Sequence, residues 1–325
     1  SKTLPEYARE NGYRAYQSGK VLHVTRPGVW DEMGAPAEYG PVAYNGVKAV
    51  AHPSCPPAMA ELGALDSTFV RLSNVPVIPA SADAPGYSGW WNVKWGATGP
   101  FRYKSDEDRD RLTDEKSVAW FQEKIRALDQ EPGTDPFFIA VGFIRPHTPL
   151  VVPDKYYDRF PLNEVQLPVI REDDTRDLPW GDDTRGRKAL QGLKSAYAGV
   201  NEGLQRYVQA YLACVAFADD MVGETMTALE TSRFRDNTIV VLFSDHGYNL
   251  GEKDYLFKYC LWEETTRVPL IIRDPRFAHN AGRTVEHPVS LVDLFPTLQD
   301  LCGWTGSTLI SDQGAPLDGH SPVSY

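Results

Sequence analysis

Four short segments hold the residues able to do acid–base, anion-binding or metal chemistry. Asp245-His246-Gly247 closes the apolar run TIVVLFSD (238–245). A carboxylate and an imidazole side by side are both metal ligands, and the glycine permits a tight turn. Arg145-Pro146-His147-Thr148-Pro149 follows FFIAVGFI (137–144). Its two prolines restrict the backbone on either side of His147, and a rigidly held imidazole suits general acid–base work. Gly19-Lys20-Val21-Leu22-His23 sets a lysine and a histidine three residues apart, so one turn of chain points both to one side. Lys258 stands between two apolar stretches in YLFKYCLWEETTRVPL, close after the Asp-His pair, where a cation suits an oxyanion. Singly, each reads as readily as a structural residue: an Asp capping a turn, a His in a stiff loop, a lysine laying its stem along apolar surface. Together, two lysines, two histidines and an Asp-His metal pair suit the binding and cleavage of a tetrahedral oxyanion ester. His52, His279, His287 and His320 lack such company and read as loop or surface residues.

The elements that must position these residues follow from periodicity. Residues 3–11 predict a short helix, capped by Thr3, with Pro5 in its first turn and Asn11-Gly12 at its end. YRAYQSGKVLH follows as a strand running into a loop. Val118, Phe121, Ile125 and Leu128 recur every three or four residues and predict a helix over 113–128. FFIAVGFI is continuous, strand-length and apolar, which predicts a central parallel strand buried on both faces. A helix over 188–231, broken once, carries Leu204, Val208, Tyr211, Val215, Ala218 and Val222 along one side. TIVVLFSD (238–245) and RVPLIIRD (267–274) are further buried strands, and 291–303 is a last helix stopped at Gly303. This alternation predicts an α/β fold with a mainly parallel central sheet flanked by helices. In such sheets ligands collect beyond the carboxyl ends of the strands, where three of the four segments fall. Residues 25–60 and 75–105, rich in Pro, Gly, Ser and Trp, read as long ordered loops walling the site.

Bulk properties narrow the function. The chain of 325 residues carries a net charge of −11, which argues against nucleic-acid binding; an anionic substrate then needs a local cationic pocket. No apolar run reaches the length of a membrane span. The four cysteines form no CxxC and suggest no zinc site; Cys214 and Cys302 fall in apolar helical patterns and read as buried thiols.

The segments resemble the sulfatase family of the alkaline-phosphatase-like superfamily, nearest to the iduronate-2-sulfatase type. TLPEYARENGYRAYQSGKVLH looks like the family's helix followed by GKxxH. DPFFIAVGFIRPHTPLVVPDKYYDRF looks like its histidine loop. NTIVVLFSDHGYNLGEKDYLFKYCLWEETTRVPLII looks like its metal-ligand strand, second lysine and following strand, and SLVDLFPTLQDLCG like the next helix. Four segments in order are specific where a single SDHG is not. The resemblance implies that Asp245 and His246 are ligands to Ca2+. It implies that Lys20 and Lys258 hold sulfate oxygens, that His147 protonates the leaving alcohol, and that His23 assists turnover of a covalent sulfate intermediate. It further implies a sulfated carbohydrate or other sulfate ester as substrate, and the periplasm, the cell exterior or the lysosome as compartment.

Family members use a formylglycine made within C/S-x-P-x-R, and this sequence holds no such motif. Ser54-Cys55-Pro56-Pro57-Ala58 lacks the arginine and falls after GKxxH rather than before it. Residues 1–325 therefore read as a partial sulfatase catalytic domain, incomplete at both ends, with the formylglycine expected upstream and the chain alone inactive. Two other readings are a phosphodiesterase or phosphonate hydrolase of the same superfamily, and a non-catalytic protein on a sulfatase fold. A single Asp-His pair with two lysines favours sulfate over the two-metal phosphoesterases. Tyr87, Trp90, Trp91 and Trp95 stand as candidate sugar-stacking residues or as packing.

Overall fold

The computed structural model describes residues 1–24, 27–93, 99–133, 135–171, 173–176, 185–197 and 201–323. The first helix, α1 (Leu4–Glu10), begins at a capping box in which the Glu6 carboxylate accepts from the Thr3 backbone N–H and hydroxyl at 2.7 and 2.8 Å. Strand β1 (Arg14–Gly19) follows, and β2 (Glu32–Met33) and β3 (Phe69–Arg71) come next among long connections. Helix α2 (Thr113–Gln130) starts where Glu115 accepts from the Leu112 N–H, and it buries Val118, Phe121, Ile125 and Leu128, the predicted face. Each such side chain contributes roughly 1.5–3 kcal/mol on leaving water.

Strand β4 (Phe137–Gly142) pairs in parallel with β1, which also pairs in parallel with β2. β5 (Leu150–Val152) pairs in parallel with β3. The predicted broken helix is two helices, α3 (Arg185–Ala196) and α4 (Glu202–Glu230). Then come β6 (Val240–Phe243), β7 (Asn249–Leu250), β8 (Leu256–Phe257), β9 (Leu270–Arg273) and α5 (Leu294–Cys302), which a left-handed Gly303 ends.

The β1–β4 pair is the middle of three layers. Tyr16, Phe137, Ile139 and Val141 pack toward α2 and the end of α4 with Phe121, Ile125 and Leu229. Ala15, Phe138 and Ala140 pack the other way, toward Trp30 and Trp304. The period-two alternation of β4 thus feeds two cores, as its unbroken apolar sequence requires. Its position needs correction, however. The sheet order is β4-β1-β2, so β1 is the central strand and β4 an edge among the described residues. Every residue of β4 keeps intermediate exposure for that reason. β6 and β9, expected as buried strands, pair antiparallel with each other and leave Leu242, Phe243, Ile271 and Ile272 exposed.

Three smaller expectations also change. His52 is not a surface residue: it is buried, stacked on Trp90 at 5.4 Å, with its ring nitrogens 2.8 Å from Ser54 Oγ and 2.9 Å from the Asn74 carbonyl. Cys214 is buried, but Cys302 is only half-buried. Trp90 is fully buried, donates from Nε1 to the Leu72 carbonyl and belongs to the main core, so it offers no face to a sugar. Trp91 stacks on Tyr44 at 4.2 Å, with Tyr87 edge-on to both. Trp95 lies outside the described residues. No described helix is long and apolar enough to cross a membrane.

Candidate active site

The ends of four strands, β1, β4, β6 and β8, converge on one cavity of about 130 Å³, lined among others by Lys20, His147, Asp245, His246 and Lys258. Five of the six residues singled out from sequence meet there. His23 is exposed and is not among the lining residues.

Lys20 is delivered by the end of β1. Gly19 adopts φ 76°, and a Cβ at Gly19 or Gly142 would collide with a facing carbonyl oxygen, so the two strand ends touch as closely as backbone allows. The Lys20 ammonium lies 3.7 Å from Asp245 Oδ2 and 6.0 Å from the Tyr39 ring centre. Asp245 and His246 follow β6, and the next backbone N–H groups, Gly247 and Tyr248, bond to the Thr265 and Glu264 carbonyls at 2.7 Å each. Lys258 follows β8 directly after Phe257, whose φ of 80° is strained for an aromatic residue and turns the chain into the cavity.

The ring tautomers follow from their partners. His246 Nδ1 lies 2.8 Å from the Gly247 carbonyl, which only accepts, so Nδ1 carries the proton and Nε2 accepts from Lys258 Nζ at 2.8 Å. His147 Nδ1 donates likewise to the Thr148 carbonyl at 2.7 Å, leaving its Nε2 a lone pair. Tyr39 packs edge-on against that ring at 4.9 Å. Burial pushes the His147 pKa down to about 4; Lys258 and Lys20 add to this, while the Thr148 carbonyl opposes it. Burial and then Lys20 lower the pKa of Lys258, against Asp245 and Asp66. The cavity thus concentrates positive charge in a partly dry place, the condition under which a cation binds an oxyanion well.

Sequence reasoning missed two supporting groups, Asp114 and Asp66, and the anchoring role of Arg145. Asp114, wholly buried at the start of α2, accepts from the Ile144 and Arg145 N–H groups at 2.7 and 2.9 Å and so fixes the start of the histidine loop. The Arg145 guanidinium is buried and donates to the Gly40 and Val151 carbonyls at 3.1 and 3.2 Å. Asp66 lines the cavity and accepts from the Thr148 hydroxyl at 2.6 Å. Neither Asp114 nor Asp66 has a neighbouring motif to announce it, and each comes from a segment remote in sequence, whereas Arg145 stands in the histidine loop itself.

The metal question has a chemical answer in this chain. Asp245 Oδ1 lies 3.6 Å from His246 Nε2, and no group of three or more His, Cys, Asp or Glu suited to a metal occurs among the described residues. Ca2+ takes six to eight oxygen ligands. One carboxylate and one imidazole do not by themselves fit it, and His246 Nε2 is engaged by Lys258.

The parallel pairing of β1 with β2 and β4, flanked by helices and with a cavity at the strand ends, makes this an α/β domain of the open-sheet kind. The chain belongs to the sulfatase family, whose model, described as Sulfatase, matches residues 1–304. It is similar to a sulfatase of Formosa agariphila, 34% identical over 92% of this chain and 52% of the relative. It is also similar to the iduronate 2-sulfatase of Mus musculus, 29% identical over 93% and 54% respectively. The chain therefore spans about half the length of the curated relatives it matches. Among solved structures, a phosphonate monoester hydrolase of Silicibacter pomeroyi superposes with a TM-score of 0.60 at 20% identity, over 99% of this chain and 60% of that one. A protein solved with its substrate D-glucosamine-2-N,6-O-disulfate superposes at 0.53 and 20% identity, over 100% and 66%. At these identities the likeness shows the fold.

Proposed function

We propose that this chain forms the sulfate-binding and proton-donating part of a sulfuric ester hydrolase acting on a sulfated carbohydrate. The observation that carries the reading is the convergence of Lys20, Lys258 and His147 on one small cavity from three remote segments. Lys20 Nζ and Lys258 Nζ hold sulfate oxygens and offset the charge that grows on them as the ester bond breaks. His147 Nε2, facing the cavity while Nδ1 is tied to Thr148, delivers the proton to the leaving alcohol oxygen. With the cavity empty that nitrogen is unprotonated, and a bound sulfate monoester supplies the negative charge that draws a proton onto it. His23 is assigned to turnover of the covalent intermediate by the family resemblance, from a position outside the cavity lining. Asp245 and His246 would be ligands of the Ca2+ that the resemblance implies only alongside further oxygen ligands and with His246 Nε2 released from Lys258, and no step is routed through the ion. The compartment follows the resemblance: periplasm, cell exterior or lysosome.

Two lysines beside a single Asp-His pair favour sulfate over phosphate esters. Inorganic sulfate titrated into the chain is expected to shift the His147 ring signals, and Lys20→Ala or Lys258→Ala to abolish that shift. Where the ester is turned over, each lysine variant is expected to lower kcat/KM at least about a hundredfold. Phosphate diesters or phosphonates cleaved faster than sulfate esters sink the reading, as does sulfate that binds equally to the lysine variants. The isolated chain, without a C/S-x-P-x-R motif, is expected to release no sulfate; detectable release refutes that.

A further inference from the structure

We propose that Asp66 binds the substrate's alcohol portion, accepting a hydrogen bond from a hydroxyl or ammonium group on its ring, and so selects sulfated sugars over aryl sulfates. This rests on the oxyanion-ester reading above and extends it to the other half of the substrate.

Asp66 is one of two carboxylates in the wall of the cavity; the other, Asp245, lies 3.7 Å from the Lys20 ammonium, whereas among the described residues no such pairing with a cavity lysine is seen for Asp66. Unopposed, it would repel the sulfate, so its presence asks for a reason. Its charge is offset outside the cavity lining: Oδ2 accepts from Arg185 Nε and Nη2 at 3.0 and 2.6 Å, and Arg185 also donates to the Leu62 carbonyl. Oδ1 accepts from the Thr148 hydroxyl at 2.6 Å. A carboxylate has about four acceptor sites, and these three bonds hold its plane while leaving acceptor capacity. The side chain keeps 23% exposure.

The size of the cavity decides what meets that carboxylate. About 130 Å³ falls well below the roughly 300–1,000 Å³ of a pocket that encloses a drug-sized ligand. It holds the sulfate and leaves the ring outside it, so the ring meets what acceptor capacity the lining leaves open, that of Asp66 included. An aryl ring there would strip water from the carboxylate and return nothing, which costs free energy. A sugar ring brings hydroxyl or ammonium donors to the free acceptor. A site built to bond a hydroxyl discriminates strongly against an analogue that lacks it.

The simpler alternative is that Asp66 only ties Thr148 to Arg185 and so steadies His147. Calorimetric titration of this chain with inorganic sulfate, glucosamine 6-sulfate and phenyl sulfate separates the two. The wild type is expected to bind the sugar ester more tightly than phenyl sulfate. Asp66→Ala is expected to weaken the sugar ester at least about tenfold while leaving inorganic sulfate unchanged or tighter. Thr148→Val, which removes the hydroxyl but not the carboxylate, is expected to keep the sugar preference. If Asp66→Ala does not fold, Asp66→Glu carries the test: it keeps a charge for Arg185, moves the acceptor and is expected to lose the preference. The proposal is overturned if Asp66→Ala weakens all three ligands alike, if Thr148→Val reproduces it, or if phenyl sulfate binds as tightly as the sugar ester. Failure of the wild type to bind even inorganic sulfate overturns the oxyanion reading itself, and this proposal with it.

Discussion

His147 joins burial to chemistry at a single residue. Burial and two neighbouring lysines hold its ring neutral with a pKa of about 4, against about 6.5 in an unfolded chain. The unfolded state therefore takes up its proton first as the pH drops. The stability associated with the neutral ring is complete above about pH 6.5 and is lost as pH falls toward 4, a difference of about 3 kcal/mol. His147→Gln, titrated by thermal unfolding, is expected to lose less Tm than the wild type between pH 7 and pH 4; an equal loss would show that the ring is not desolvated in solution. A bound oxyanion acts in the opposite direction. Sulfate is expected to raise the His147 pKa, read from the imidazole signals by NMR, which is how an empty, unprotonated site becomes a proton donor when filled.

Among the elements, the histidine loop is held by Asp114, remote in sequence, and by its own Arg145 reaching out of the loop. Asp114 grips its first two N–H groups from the start of α2, while Arg145 reaches the Gly40 and Val151 carbonyls. Burial raises the Asp114 pKa, and the Arg145 charge and both N–H donors pull it back. Removing the carboxylate leaves two buried donors unmet and the Arg145 cation without its neighbour. Asp114→Ala is expected to cost about 3–5 kcal/mol, seen as a lower urea midpoint. Asp114→Asn is expected to cost less, because the amide still accepts one bond. Equal midpoints for wild type and Asp114→Ala would remove this residue from the account. Of the two readings open for the aromatic loops, sugar stacking and packing, packing describes Trp90, Trp91 and Tyr87. Trp90 is core, and Trp91, Tyr44 and Tyr87 satisfy one another.

For the molecule as a whole, two strand groups, the β4-β1-β2 sheet and the separate β6–β9 pair, are unequally covered. β1 and β4 have cores on both faces, whereas β6 and β9 expose Leu242 at 37%, Phe243 at 47% and Ile271 at 57%. Neighbours along a strand face opposite sides, so both faces of the β6–β9 pair carry open apolar surface. Such strands pair with other copies. The chain is expected to self-associate, and Phe243→Lys with Ile271→Lys to shift it toward monomer in light scattering with little change in Tm. A monodisperse wild type at high concentration would show that this surface is covered in solution.

The sequence by itself determined the local structure and the residue types. The face of α2, the Thr3 cap of α1, a single break in the helical stretch over 188–231 and the two apolar faces of β4 all follow from patterns within a few turns of chain. The order of the lysine, histidine and Asp-His segments was likewise readable, because each sits just beyond a strand whose composition marks it. Only the tertiary structure decided which side chains meet. It brought Asp66, Asp114 and Tyr39 to the site, left His23 outside the cavity lining, buried His52, and made β1 rather than β4 the central strand. Strand pairing, burial and the charge around a histidine depend on segments far apart in sequence, and a period of two or 3.6 residues carries no record of what lies across the gap.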